Sequence, residues 1–272
     1  MLVLKFGGEL LEEPSRLDTV VHTVAAVARR GLRVAIVHGG GKEIGAALKA
    51  AGIETRQVDG LRITDERTLE VVVSVLAGTI NTRFVAALTT AGAPAVGLTG
   101  ADAACGLAEP SAAHQTADGR LVDLGWVGVP SERADVRVVA LLAERGFLPV
   151  MACIGLGADG RLFNVNADTF AGHLAARLGA RRLVIAGTTA GVLDAAGATL
   201  RTLDPAAIAR LIAGGTATAG MIAKLRACEY ALAHGVDDVV IVDGRDGAAL
   251  ETAALAETPP SGTRLVPSKA HA

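Results

Sequence analysis

The sequence has few aromatic residues and almost no net charge. Phe, Trp and Tyr make up 3% of the 272 residues, and the formal net charge at pH 7 is -2. Nucleic-acid-binding domains usually carry a clear basic excess, and proteins that bind single strands need aromatic side chains for base stacking. The composition therefore argues against a nucleic-acid partner.

Cysteine is also scarce. Cys105, Cys153 and Cys228 are far apart and odd in number, and they form no CxxC pair and no metal-ligand spacing. Such a set is typical of reduced, mostly buried thiols in a cytosolic protein. We therefore expect a cytoplasmic location and no disulfide framework.

The chain lacks a long uninterrupted apolar run. Lys5 and Glu9 follow the first residue closely, so we expect no signal peptide. The longest stretch without charged residues, 84–101, contains the turn signals TTAGAP and GLTG, and we do not expect it to span a membrane. No low-complexity linker divides the chain, and only the tail PSKAHA has a composition that predicts disorder.

Hydrophobic residues make up 51% of the chain, and short apolar runs alternate with helical patterns. This alternation predicts an α/β fold in which helices cover both faces of a mostly parallel sheet. The longest helix is predicted over residues 65–92, with Thr64 as its N-cap. The glycine-rich stretch 103–130 predicts hairpins.

Predicted strands repeatedly end in glycine or small polar residues. The four endings are KFGGE, VHGGGK, ACIGLG and IAGTTAG. Ligands of parallel sheets bind beyond the carboxyl ends of the strands, so this repetition predicts a site lined by bare backbone at one sheet edge. The second ending resembles a P-loop, but Ile36 and Glu43 occupy its first glycine and its Ser/Thr positions, and Lys42 is interpreted as a helix-start side chain.

A second glycine motif, GLGADG at residues 155–160, matches the dinucleotide-binding pattern G-x-G-x-x-G. A helix should begin at its third glycine, whereas the alternating pattern RLFNVN follows. We interpret the motif as a hairpin turn. A dinucleotide-dependent oxidoreductase, which rests on this motif alone, is therefore not supported.

Five charged or polar residues are candidates for chemistry, although each has an ordinary interpretation when taken singly. Lys5 could extend from a strand edge to solvent, and Lys224 could be a surface lysine. Asp168 could complement a helix dipole, Asn164 could serve a turn, and Arg62 could lie in a solvated loop.

The order of the motifs gives these residues a shared context. KFGGELL, VHGGGKEI, GLRITDERTLEVV, GLTGADA, LPVMACIG, NVNAD, AGVLD and GMIAKL occur in the order seen in the amino acid kinase family. The chain resembles that family from Leu2 to about Arg264. The resemblance implies a three-layer αβα sandwich in one domain over residues 1–266. An acceptor-binding lobe would cover about 1–179, a nucleotide-binding lobe about 180–266, and a flexible tail 267–272.

Within the family, the chain is most similar to the branch that phosphorylates N-acetyl-L-glutamate. The resemblance implies transfer of the γ-phosphoryl group of ATP to the γ-carboxylate of that acceptor, the second step of arginine biosynthesis, with Mg²⁺ bound through the nucleotide phosphates. A carboxylate is already an ionised nucleophile, so no general base is needed. Positioning and electrostatic stabilisation would carry the reaction.

The resemblance also implies roles for individual residues. Two lysines would contact the phosphoryl group, an aspartate would hold both lysines, and an arginine would bind the α-carboxylate of the acceptor. The implied residues are Lys5, Lys224 and Asp168 for catalysis, Gly8 and Gly40 as phosphoryl-facing backbone donors, Gly40, Gly41, Arg62 and Asn164 for the acceptor, and Thr188, Gly191, Val192, Leu193, Thr218 and Gly220 for the nucleotide. No side chain is expected to bind a metal.

Two features depart from the family pattern. Thr188 stands where the family usually has an aspartate, so we expect weaker but not absent activity. No helical extension precedes the first strand, and in the family that extension accompanies hexamer formation and arginine inhibition. We therefore expect a homodimer, formed through the 65–92 helix, that is insensitive to arginine by that route.

Two other functions remain open at this level. The branch that acts on N-acetyl-aminoadipate uses an acceptor one methylene longer, and one methylene changes binding by only about 1–3 kcal/mol. The motifs NVNAD and GLRITD are more similar to the glutamate branch. A non-catalytic, ligand-sensing member of the fold is supported only by Thr188 and opposed by the presence of Lys5, Lys224 and Asp168.

Overall fold

The computed structural model describes residues 1–116, 119–215, 219–255, 259 and 261–267. Thr218 and residues 268–272 of the predicted tail lie outside these ranges. The strands are β1 Leu2–Phe6, β2 Val34–His38, β3 Gln57–Val58, β4 Leu61–Arg62, β5 Ala95–Thr99, β6 Ala108–Pro110, β7 His114–Gln115, β8 Leu121–Val122, β9 Val127–Pro130, β10 Leu148–Ala152, β11 Ile154–Leu156, β12 Leu162–Val165, β13 Arg182–Gly187, β14 Thr202–Leu203, β15 Asp238–Asp243 and β16 Thr263–Leu265. The α-helices are α1 Pro14–Arg29, α2 Gly41–Ala50, α3 Glu66–Val73, α4 Asn81–Thr90, α5 Arg137–Glu144, α6 Ala167–Arg177, α7 Pro205–Ala213, α8 Ala219–Ala233 and α9 Gly247–Ala254.

The main sheet has the strand order β14-β16-β15-β13-β1-β2-β10-β5. Neighbouring strands are parallel except for β15 and β16, which are antiparallel. Every residue of β1, β2, β10 and β13 is buried, as expected for strands that are covered on both faces. The prediction of a mostly parallel sheet between helical layers is confirmed.

Alternate residues of β1 enter two separate apolar layers. Leu4 and Phe6 pack in a layer with residues of α1, α4 and α9, whereas Val3 packs in the other layer with residues of α6 and α8. All three cysteines are free and buried, as predicted. The loops at the carboxyl edge of the sheet therefore extend from strands that are packed on both faces.

The long predicted helix is present, but its start and its geometry differ from the prediction. Asp65, not Thr64, is the N-cap, because its side chain accepts a hydrogen bond from the Thr68 N–H at 2.8 Å. Between α3 and α4 the helix continues as a π-helix, Ser74–Ile80. The Thr64 hydroxyl instead donates to the carbonyl of Arg62. The same hydroxyl accepts from the side chain of Asn164, and sequence patterns near Thr64 do not show this tertiary contact.

The same helical segment, Glu66–Thr90, is long and apolar enough to span a membrane by length and composition alone. Core helices of proteins that never enter a membrane pass this test as well. Val72, Phe84 and Leu88 of this segment are fully buried against the sheet. Part of its apolar character is therefore used in the core.

A smaller sheet with the order β11-β12-β9-β6 lies beside the main one. β11 and β12 form an antiparallel hairpin across the GLGADG motif, where Gly157 N–H donates to the Arg161 carbonyl. The hairpin interpretation of this motif is confirmed. The antiparallel pairs β6–β9 and β7–β8 also confirm hairpins within the described part of 103–130. Sequence patterns do not predict α9, whose eight residues are mostly alanine and glycine.

Candidate active site

The carboxyl ends of β1, β2 and β13 meet at one edge of the main sheet because these strands are adjacent and parallel. Lys5 is the second-last residue of β1, and the triple glycine follows β2 directly. Thr188 follows β13. Sequence segments that are far apart along the chain therefore converge at this edge.

Lys5, Asp168 and Lys224 form a buried charged triad. Lys5 Nζ lies 2.8 Å from Asp168 Oδ1, and Lys224 Nζ lies 3.2 Å and 3.4 Å from the two carboxylate oxygens. The side chains are 7%, 12% and 15% exposed for Lys5, Asp168 and Lys224 respectively. The structure thus brings the three predicted catalytic residues into direct contact.

Charge pairing sets the protonation state of this triad. Burial by itself would raise the pKa of Asp168, but the ammonium groups of Lys5 and Lys224 lower it to about 2. Burial opposes the charge of Lys5, yet Asp168 raises the pKa of Lys5 above its usual value. Burial and the neighbouring Lys5 lower the pKa of Lys224. With both lysines protonated, the triad carries one excess positive charge, which suits an anionic ligand.

Close packing of α6 and α8 makes the triad possible. Asp168 lies in the first turn of α6, where Asn166 caps the helix by accepting from the N–H groups of Asp168 and Thr169. A methyl group built on Gly172 would lie 2.6 Å from the carbonyl oxygen of Ala227 on α8. The glycine therefore allows the two helices to approach closely enough for Lys224 to reach Asp168.

Two glycine loops touch backbone to backbone beside the triad. A methyl group on Gly8 would lie 2.6 Å from the Cα and 2.9 Å from the nitrogen of Gly40. A methyl group on Gly40 would collide with Ile80 and lie 2.9 Å from Leu76 Cδ2, both in the π-helix. Among the described residues, the N–H groups of Gly8 and Gly40 have no hydrogen-bond acceptor. These positions need glycine because the loops leave no room for a Cβ.

A buried polar chain that sequence patterns do not reveal fixes the triple-glycine loop. Asn81 Nδ2 donates to His38 Nε2 at 3.0 Å and to the Val150 carbonyl at 2.9 Å. His38 is therefore the Nδ1–H tautomer, which donates to the Gly39 carbonyl at 3.2 Å. Burial lowers the pKa of His38 to about 4, so the ring is neutral at pH 7. The only sequence signal was an asparagine within an apolar helical pattern.

Arg62 links the β3–β4 hairpin to the same loop. Its Nη2 donates to the Gly41 carbonyl at 3.0 Å, whereas its buried Nη1 has no partner among the described residues. Burial lowers the pKa of Arg62. Asn164 Nδ2 donates to Thr64 Oγ1 at 3.2 Å, which ties β12 to the hairpin. The free Nη1 group is a donor that suits a carboxylate ligand.

Most of these groups line one cavity of about 270 Å³, whereas Lys224, His38 and Asn81 are not part of its wall. Seven of the residues implied by the family resemblance lie in its wall, namely Lys5, Gly8, Gly40, Gly41, Arg62, Asn164 and Asp168. Glu9 and Cys153 line it as well, and neither was a sequence candidate. The cavity suits a small acid that needs several converging donors.

The described residues among those implied for the nucleotide lie outside this cavity wall. The Thr188 carbonyl accepts from Arg245 Nη2 at 2.9 Å. Val192 is buried, and its N–H donates to Thr263 Oγ1 at 2.8 Å. Gly191 has a φ of +115° and packs against Thr263.

The other described residues implied for the nucleotide are Leu193 and Gly220. Leu193 is 41% exposed, and Gly220 lies in the first turn of α8. Thr218 belongs to the residues that the structure does not describe. Residues 188–193 therefore lie at the predicted sheet edge. The backbone N–H and the side chain of Val192, however, make contacts within the protein.

Comparisons with known proteins agree on one family. The sequence model of the amino acid kinase family matches residues 1–243. Acetylglutamate kinase of Novosphingobium aromaticivorans is 42% identical over 252 residues, which cover 89% of this chain and 83% of that protein. Acetylglutamate kinase of Sphingopyxis alaskensis is 44% identical over 247 residues, covering 89% of this chain and 82% of that protein.

A solved structure extends the comparison to the fold. N-acetylglutamate synthase from Neisseria gonorrhoeae, complexed with coenzyme A and N-acetyl-glutamate, superposes with a TM-score of 0.81 at 25% identity. The match covers 97% of this chain and 59% of that chain. The present chain therefore corresponds to a part of the synthase.

Proposed function

The chain belongs to the amino acid kinase family, and from that premise we propose that it phosphorylates the γ-carboxylate of N-acetyl-L-glutamate with ATP. This reaction is a step of arginine biosynthesis. The observation that carries the proposal is the buried Lys5–Asp168–Lys224 triad, which faces two glycine loops with free N–H groups.

The wall of the cavity accounts for acceptor binding. Arg62 has one nitrogen held by the Gly41 carbonyl and a second, buried nitrogen free to donate to the α-carboxylate of the acceptor. Asn164, fixed by Thr64, offers a further polar contact. These groups would direct the γ-carboxylate of the acceptor toward Gly8, Gly40 and the triad.

The chemistry needs charge stabilisation because two anions must meet. The acceptor carboxylate attacks the γ-phosphorus, the bond to the β–γ bridging oxygen breaks, and ADP leaves. Lys5 and Lys224 would stabilise charge on the transferred group, and Asp168 keeps both ammonium groups in place. The N–H groups of Gly8 and Gly40 are preorganised donors for the phosphoryl oxygens.

We propose that ATP binds at the carboxyl ends of β13 and β15, with the 188–193 loop and the start of α8 around it. Mg²⁺ bound through the phosphates would neutralise part of their charge. The cavity fits such a cation, because its wall includes the carboxylate of Glu9, an oxygen ligand that no described residue pairs with. On this division, residues 1–179 bind the acceptor and residues 180–266 bind the nucleotide.

We further propose that the protein is a cytoplasmic homodimer formed through the α3–α4 helix. A groove of about 590 Å³ beside α3 supports this assignment, because apolar residues such as Leu69, Val73 and Trp126 line it together with the charged residues Glu66, Glu70 and Arg161. Light scattering coupled to size-exclusion chromatography should give twice the chain mass of 27.5 kDa. A monomer or a hexamer would contradict the proposal.

The function is tested by trapping the acyl phosphate with hydroxylamine in the presence of Mg-ATP. The acceptors trapped in this way are N-acetylglutamate, N-acetyl-aminoadipate and glutamate, and we expect the largest yield with N-acetylglutamate. UMP, whose phosphorylation gives no acyl phosphate, is tested by the release of ADP. A larger yield with N-acetyl-aminoadipate would move the assignment to the longer acceptor. No product with any acceptor, despite measured ATP binding, would replace the kinase by a ligand-sensing function.

A further inference from the structure

Glu9 occupies an unusual place at the sheet edge. It follows Gly8 in the 3₁₀ turn Gly8–Leu10 and is half-buried. A methyl group on Gly7 would collide with its carboxylate, and one on Gly187 would lie 3.7 Å from its Oε1. Gly7 and Gly187 follow the register pair Phe6–Ala186 of the adjacent strands β1 and β13. The carboxylate therefore lies beside the carboxyl ends of these two strands.

This carboxylate has no partner within the described structure. The cavity wall contains two carboxylates, Asp168 and Glu9, and both oxygens of Asp168 contact lysines. No described residue makes a hydrogen bond or ion pair with the side chain of Glu9, whose carbonyl alone accepts from Arg16. Burial acts to lower the pKa of Lys5, whereas Asp168 and, to a smaller extent, the charge of Glu9 raise it. Glu9 thus lies within electrostatic reach of the triad without pairing with it.

An unpaired carboxylate conflicts with the entry of a triphosphate. Like charges that approach each other at the surface of a protein repel. The conflict disappears if a cation enters between the two groups. Mg²⁺ is bound in such sites by one or two carboxylates together with substrate phosphates.

We propose that the Glu9 carboxylate is a ligand, directly or through one water, of the Mg²⁺ that enters with the nucleotide. The inference rests on ATP use, which belongs to the proposed function. One carboxylate holds Mg²⁺ only weakly, so the phosphate oxygens supply the remaining ligands and metal affinity develops only in the nucleotide complex. Glu9 would then select the metal-bound nucleotide over the free nucleotide.

The test compares the wild type with Glu9→Gln, Glu9→Asp and Glu13→Gln. Glu13 is an exposed glutamate of the same segment that pairs with Arg16, so Glu13→Gln changes net charge equally away from the cavity. Binding of the non-hydrolysable analogue AMP-PNP is measured by calorimetry in EDTA and in Mg²⁺. Binding of Mn²⁺ is measured by electron paramagnetic resonance at saturating AMP-PNP.

For Glu9→Gln we expect effects of opposite sign. Without metal, AMP-PNP should bind about threefold more tightly, because a repelling charge is gone. At saturating AMP-PNP, Mn²⁺ affinity should fall about tenfold, because a ligand is gone. Glu9→Asp should retain part of the metal affinity, and Glu13→Gln should match the wild type. Thermal unfolding of each variant verifies the fold.

Wild-type Mn²⁺ affinity in Glu9→Gln would overturn the inference, as would an equal loss of AMP-PNP binding with and without metal. These titrations contain no acceptor, so they separate the inference from the assignment of the acceptor. If the wild type shows the metal effect but gives no trapped acyl phosphate, only the assignment of the acceptor is overturned. A wild type that binds no AMP-PNP would overturn the inference and the kinase function together.

Discussion

The acceptor end of the cavity and the strand end at Thr188 use glycine-rich backbone in different ways. At the acceptor end, the Gly39–Gly41 loop is held by His38 and Arg62 and packed against the π-helix. At the other end, the 188–193 loop directs Val192 into the core and exposes Leu193. The first region is held by hydrogen bonds within the fold, whereas in the second Val192 is buried and its N–H is used internally. Under the proposed function, the acceptor would meet a loop that the fold already holds in place, whereas the nucleotide would depend more on charged groups outside its own loop.

The triad joins both regions, so its loss should have the largest effect. Lys5→Met should lower kcat by on the order of 10²–10³, because a buried cation that faces the transferred group is removed. The measurement is acyl-phosphate formation at saturating substrates. Lys42→Met is the matched control, since the Lys42 side chain is 75% exposed at the start of α2. Equal rates for the two variants would show that Lys5 does not take part in the reaction.

A substitution in the Gly39–Gly41 loop tests whether the two regions act on different substrates. Gly40→Ala places a methyl group against Ile80 and Leu76 and should reduce kcat/KM for the acceptor by up to about 10²-fold through displacement of the loop. AMP-PNP binding should stay nearly unchanged. Gly45→Ala in α2 is the control, because a methyl group there meets nothing within 4 Å. Selective loss of nucleotide binding would reverse the assignment of the two regions.

The charge of Asp168 predicts an acid-dependent loss of stability. Burial would raise its pKa, but the two lysines lower it to about 2 from an ordinary value of 3.8. The stabilisation is therefore present above pH 3.8 and is lost as the pH falls toward 2. It amounts to about 2 kcal/mol. Urea unfolding of the wild type and Asp168→Asn between pH 5 and 2, with roughly one-unit steps, measures it. Parallel pH profiles would contradict this origin.

A substitution of Asn81 tests whether its hydrogen bonds hold the triple-glycine loop in position. Asn81→Leu leaves His38 Nε2 and the Val150 carbonyl without a donor, which should cost about 1–3 kcal/mol of stability. The acceptor KM should rise about tenfold, whereas the ATP KM changes little, because the affected loop is on the acceptor side. Steady-state kinetics for both substrates give the answer. An equal rise in both KM values would show a general structural defect.

The smallest effect is expected at the nucleotide end. Thr188→Asp restores the acidic group that the family usually has, and we expect a change of about two- to fivefold in kcat or in the ATP KM. Thr189→Asp is the control, because its exposed neighbouring position adds the same charge. No change in either constant for Thr188→Asp would mean that the position does not contribute to nucleotide handling.

Much of the fold follows from local patterns. Apolar runs of β1, β2, β10 and β13 predicted strands buried on both faces, and RLFNVN after GLGADG predicted the hairpin. The N-cap prediction failed at Thr64, because its hydroxyl is used by Arg62 and Asn164. A local cap signal does not show that a distant side chain competes for the same group.

The candidate site is predictable only in part. The glycine endings indicated the sheet edge, and family resemblance indicated the two lysines and Asp168. Nothing in the chain pointed to the contact between His38 and Asn81, since an asparagine in an apolar helix has many ordinary explanations. Sequence patterns did not indicate Glu9 either, because its carboxylate reaches the site only through the close approach of Gly7 and Gly187 in the fold.

The sequence by itself determined the parallel sheet, the bare strand ends and the absence of a disulfide framework, because periodicity and composition act over short distances. Only the tertiary structure decided which charges meet. Lys5, Asp168 and Lys224 come together because β1 is central in the sheet and Gly172 lets α6 pack closely on α8. The carboxylate of Glu9, also in the wall of the cavity, has no partner within the described part of the chain. Pairing between charges depends on distances in space, which no local pattern records.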